Sequence, residues 1–115
     1  MDIWYSPQMP TPVEKLRLTD QAAEAIQAAN RLVHRDIALQ NLRYLLDPEA
    51  RLSTWGFAGV ISDRLRHFQA TAWPHIAKGY REPRGALEAA LLLLCKSDCP
   101  ASQRRLFPIL ADLRL

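Results

Sequence analysis

The sequence predicts an all-α fold, a compact domain of four to five helices behind an extended, proline-rich N-terminal arm. Three observations predict it. Only four of 115 residues are glycine, while Leu and Ala, both strong helix formers, recur throughout. Apolar residues return at three- and four-residue spacing over long stretches. The period-two alternation of half-buried strands is missing. An apolar fraction of 49% with 23% charged residues is an ordinary globular profile and excludes a disordered chain. The length suits one core, which excludes a complete Rossmann enzyme, a TIM barrel or a complete protein kinase.

Residues 1–18 read as the extended arm, because Pro7, Pro10 and Pro12 each fix φ and lack a donor. Ile3, Trp4 and Tyr5 form an apolar tip ahead of them, and Val13 to Leu18 adds one helical turn. Thr19 or Asp20 is the expected cap of a helix that runs without Gly or Pro to Leu46. At 100° per residue, Ala22, Ile26, Ala29, Val33, Ile37 and Tyr44 fall on one stripe. Leu32, Leu39, Leu42 and Leu46 fall on a second. Ile26, Val33 and Ile37 are expected to be buried, Leu39, Leu42 and Leu46 to be buried against a different neighbour, and truncating Ile37 to Ala to cost roughly 2–5 kcal/mol. Asp47-Pro48 stops the helix and offers a cap and first turn for another short one.

Ser53 to Gly56 interrupts the pattern. Phe57, Val60, Ile61, Leu65, Phe68 and Ala72 then mark an amphipathic helix, ended or kinked at Trp73-Pro74. A turn around His75 to Lys78 closes at Gly79, and residues 80–85 read as a polar loop. Ala86 to Cys95 is apolar nearly all round, so it is either buried or covered by a partner. Asp98 or Ser97 is placed to cap the last element, Ala101 to Leu113, which must accommodate Pro108.

Charge is unevenly spread. Residues 1–50 hold five Lys/Arg against seven Asp/Glu, and residues 51–115 hold ten against five. A solvated basic surface is the plain reading of the second half, and a polyanion-binding face is the alternative. Cys95 and Cys99 have neither CxxC nor zinc-ribbon spacing, and His34, His67 and His75 do not complete a metal site. Two reduced cytosolic thiols are expected, with a local disulfide as the alternative. No basic-then-apolar leader opens the chain, and the longest apolar run is far short of the roughly 20 residues that span a bilayer. A cytoplasmic protein without membrane segments, metal or cofactor is therefore expected.

Residues 34–41, HRDIALQN, resemble the catalytic loop of protein kinases, and Thr54-Trp55-Gly56 follows at the spacing of the kinase metal-binding triplet. The resemblance implies Asp36 as the base that orients a hydroxyl and Asn41 as a magnesium ligand. Thr54 stands where that triplet carries a carboxylate. No glycine-rich phosphate loop is present, and 33 residues ahead of His34 do not make a nucleotide-binding lobe. The resemblance therefore implies an inactive, degenerate fragment, no catalytic residue is assigned, and the plain reading is that His34, Arg35 and Asp36 form the polar stretch of a helix, with Ile37 buried. Asp63 and His67, four apart, read as a surface ion pair.

The expected function is non-enzymatic: a small regulator of the adaptor, chaperone-like or anti-activator kind that binds another protein, a second copy of itself, or both. An apolar arm, a two-striped helix and an all-apolar helix exceed what so small a core hides. The candidate protein-binding residues are Ile3, Trp4, Tyr5, Trp55, Trp73, Leu91 and Leu94. The alternative is a nucleic-acid-binding regulator that uses the basic C-terminal half. No helix-turn-helix spacing, RNA-binding sheet motif or zinc pair points to one.

Overall fold

Long runs of strong helix formers, punctuated by Pro and Gly, become five helices and no strand among the described residues. The computed structural model describes the backbone from residue 12 to residue 115 and side chains from Thr19 onward. The helices are α1 (Pro12–Leu46), α2 (Thr54–Thr71), α3 (Trp73–Ala77), α4 (Gly85–Lys96) and α5 (Gln103–Asp112). The all-α class is as the sequence predicts. Helix α1 starts at Pro12, a residue suited to a first helical turn, so the Val13–Leu18 turn is continuous with it and no cap forms at Thr19 or Asp20.

The chain divides into two units, Met1–Asn30 and Arg31–Leu115. In the first, every described side chain from Thr19 to Asn30 is exposed, Ile26 at 59% among them. The second holds the hydrophobic core. Helix α2 is central to it, packing on α5, α4 and α3. Its buried residues, Phe57, Ala58, Ile61, Ser62, Leu65 and Phe68, recur at helical spacing along one face. Ala38, Leu39 and Leu42 from α1, Leu91 and Leu94 from α4, and Leu106 and Leu110 from α5 complete the cluster.

The junction after α1 is a turn rather than a new helix. Asp47 does not cap a first turn. Its carboxylate accepts from the backbone N–H groups of Arg51 and Leu52, both at 2.9 Å, and closes the loop back on itself. Arg43 pairs with the same carboxylate at 3.3 Å, donates to the Leu52 carbonyl and lies over the Phe57 ring, 4.6 Å from its centroid. The two backbone donors, together with Arg43 and Arg51, hold the Asp47 carboxyl below its ordinary range despite its partial burial.

Helix α2 starts with Ser53 as cap, its Oγ accepting from the Gly56 N–H at 3.0 Å. Trp73-Pro74 ends it and opens α3, as the sequence predicts. Gly79 follows at φ +79°, a left-handed position that disfavours any Cβ, and the Tyr80 N–H closes on the His75 carbonyl. Only Ala90, Leu91 and Leu94 of α4 are buried, so this apolar helix is half-covered by its own chain. Asp98, at φ +54°, ends α4 instead of capping α5; Ser102 takes the cap position. The Ser62 hydroxyl, buried, donates to the Ala101 carbonyl at 2.6 Å and ties α2 to the segment before α5. Pro108 lies inside α5 without ending it.

Candidate functional site

The two stripes of α1 meet different fates within the Arg31–Leu115 unit. On a helical wheel, Val33, Ile37 and Tyr44 fall within about 40° of one another, while Leu42 lies about 160° round from Tyr44. Ala38, Leu39 and Leu42 are fully buried, and Leu46 is half-buried beside them. Val33 is 52% exposed, Ile37 44% and Tyr44 75%. The expectation that Ile26, Val33 and Ile37 are core is therefore corrected. A helix lying against one layer of neighbours buries one arc, and the leucine-rich arc takes that place. In the polar stretch, Arg35 lies in line with Leu42 and Leu46 and Asp36 beyond Leu39; both are half-buried and bond to each other at 2.9–3.0 Å.

The ridge continues into a groove of about 310 Å³ lined by Asn41, Tyr44 and Leu45 of α1 and Ala86 of α4. Leu45 is itself 40% exposed. Ridge and groove form a largely apolar face interrupted by the amides Gln40 and Asn41 and edged by exposed His34. The periodicity turns Val33 and Ile37 inward, places Tyr44 on their stripe and does not single out Leu45. Gln40 and Asn41 carry the sequence signal that finds them, since a buried stripe would have had to supply partners for two amides between Ile37 and Tyr44.

Of the residues expected to bind protein, Ile3, Trp4 and Tyr5 lie outside the described residues. Leu94 is fully buried and offers no surface to a partner, and Leu91, 4% exposed, shows only an edge at the floor of a groove. Trp73 is half-buried against the core. Trp55 is half-exposed and packs edge-on against Phe107, with centroids 5.7 Å apart. Phe107 is 39% exposed because α5 turns Leu106 and Leu110 inward instead. Trp55 and Phe107 make a small aromatic patch, and the Gln103 amide donates to the Trp55 carbonyl beside it.

The stretch that resembles a kinase loop, 34–41, is continuous helix. Asp36 and Asn41 are five residues apart, about 7.5 Å along the axis and 140° round it, so they do not converge on one ion. Thr54 begins α2. Asp63 and His67 are both exposed and form no ion pair. Cys95 and Cys99 are free; burial raises both thiols, Cys99 to about 11. Among the described residues no three His, Cys, Asp or Glu side chains gather as metal ligands, and no helix is long and apolar enough to cross a membrane. No protein-family model, curated protein or solved structure matches the chain.

Proposed function

We propose that this protein is a non-enzymatic binding module, an adaptor or regulator, whose docking face is the Val33–Ile37–Tyr44 ridge of α1 with Leu45 and Ala86, and whose partner there is a second copy of the chain. The observation that carries the reading is the exposure of Val33, Ile37 and Tyr44, 44–75% each, on the side of α1 turned away from its core stripe, with Leu45, 40% exposed, at the edge of that stripe. A two-fold contact needs one self-complementary patch. This ridge carries no Lys, Arg, Asp or Glu, so two copies meet without opposing like charges from those side chains. Arg43, the nearest cation on α1, is turned to Asp47 and Phe57.

Magnitudes fix the strength of the pairing. Covering the exposed parts of Val33, Ile37, Tyr44 and Leu45 is worth about 5 kcal/mol per copy, or about 10 for the pair. Association costs about 4–15 kcal/mol. At most about 6 kcal/mol remains, a reversible dimer with Kd of tens of micromolar or weaker. The test is sedimentation equilibrium from about 20 µM to 1 mM, a range that brackets this Kd. Wild type should gain mass with concentration, and Tyr44→Ala and Ile37→Asp should remain at the mass of one chain with an unchanged helical spectrum. A wild type of single-chain mass throughout, or a dimer indifferent to both substitutions, overturns the reading.

A further inference from the structure

A second groove, of about 240 Å³, opens between α2 and α4 and is separate from the ridge. Its floor is apolar: Phe68, Ala72 and Leu91, nearly buried, and Leu87, half-buried. One wall is a single face of α2, where Arg64, His67 and Thr71 follow at three- and four-residue spacing. The other wall is the pair Arg81 and Glu88. Both Arg81 terminal nitrogens donate to the Glu88 carboxylate, at 2.9 and 3.2 Å, and the Arg84 N–H donates to its Oε1 at 2.9 Å. These donors hold Glu88 below its ordinary range, so it stays ionised and cancels Arg81.

What remains is a surplus cation. Arg64 makes no ion pair or side-chain hydrogen bond among the described residues, and the His67 ring is also uncommitted. The Thr71 hydroxyl spends its proton on the His67 carbonyl at 2.7 Å, so Arg64 and His67 are the free donors on that wall. A planar guanidinium beside an apolar floor is matched by a planar carboxylate carrying an apolar body. The volume lies below the roughly 300–1,000 Å³ of drug-sized sites, which sets the ligand at the scale of one amino-acid residue.

We propose that this groove binds a small organic carboxylate, its two oxygens on Arg64 with His67 as a second donor, and its apolar body on Phe68, Leu87 and Leu91. Two sources share this chemistry: a free branched or aromatic acid, and the free C-terminus of a peptide ending in an apolar residue. The experiment is an amide chemical-shift titration of the full chain with 4-methylpentanoate, 4-methylpentanamide, and a pentapeptide ending in leucine with a free or amidated C-terminus. Saturable shifts confined to residues 64–72 and 87–91 are expected with a carboxylate-bearing probe. Binding should be at least about tenfold weaker for the matching amide and for Arg64→Gln, the loss of one charge-assisted pair. Arg64 is exposed, so that variant keeps the fold, and Arg104→Gln, outside the groove, should bind as wild type. A response to the acid alone assigns a free acid, and tighter binding of the free-ended peptide assigns a chain terminus. No saturable shift with either, equal binding of acids and amides, or undiminished binding by Arg64→Gln overturns the proposal.

Discussion

Leu39→Ala and Ile37→Ala, two neighbouring truncations on α1, separate the buried arc from the exposed one. Leu39 is fully buried, so its truncation loses the transfer energy of the side chain and leaves a cavity, about 3–5 kcal/mol in all. Ile37 is 44% exposed. Only about half of a 1.5–3 kcal/mol burial is lost there, and alanine returns roughly 0.4 kcal/mol of helix propensity. A net cost of about 0.5–1 kcal/mol remains for Ile37→Ala, well under the core-sized figure its stripe suggests. The assay is urea unfolding followed by helical circular dichroism at about 2 µM, below the concentrations at which pairing contributes. With an m-value near 1.5 kcal/mol/M, Leu39→Ala should lower the midpoint by about 2–3 M and Ile37→Ala by about 0.3–0.7 M. Equal shifts, or a larger one for Ile37→Ala, would refute the assignment of the leucine-rich arc to the core and remove the docking face with it.

Three further outcomes are expected. Asp47 has a folded pKa below its ordinary 3.8, so its contribution to stability is complete well above that value and is lost as pH falls through the folded one. Acid unfolding curves should show Asp47→Asn destabilised near neutrality and less sensitive to pH below 4 than wild type; parallel curves would contradict the role given to its two backbone donors. Ser62→Ala should cost about 1–2 kcal/mol in the same urea assay, because the Ala101 carbonyl loses its donor at a buried position; a neutral result would mean water replaces it. Cys99, buried with its thiol pushed up to about 11, should react with a disulfide reagent at neutral pH far more slowly than the unfolded chain does, and Cys95 should react first; equal rates would count against the burial of Cys99.

The helices were legible in the chain because their causes are local. Scarce glycine, Asp47-Pro48 after α1 and Trp73-Pro74 after α2 all act within a turn of themselves and punctuate the chain where expected, whereas Pro12, read as part of the arm, opens α1, and Ser53, read as an interruption, caps α2. The face of α2 was legible for a related reason: it carries one apolar stripe opposite Asp63 and Arg66, so only one side can go inward. Helix α1 carries two stripes, and nothing local ranks them. Tertiary structure chose the arc of Ala38, Leu39 and Leu42, placed it in the core and left Val33, Ile37 and Tyr44 in water. The same packing drew Leu91 and Leu94 inward and turned Phe107 outward to Trp55. It brought Arg64, Arg81 and Glu88 from separate elements around one groove, a meeting that no spacing along the chain records. Periodicity states which residues share a face, whereas the finite area of neighbouring helices decides which face is covered.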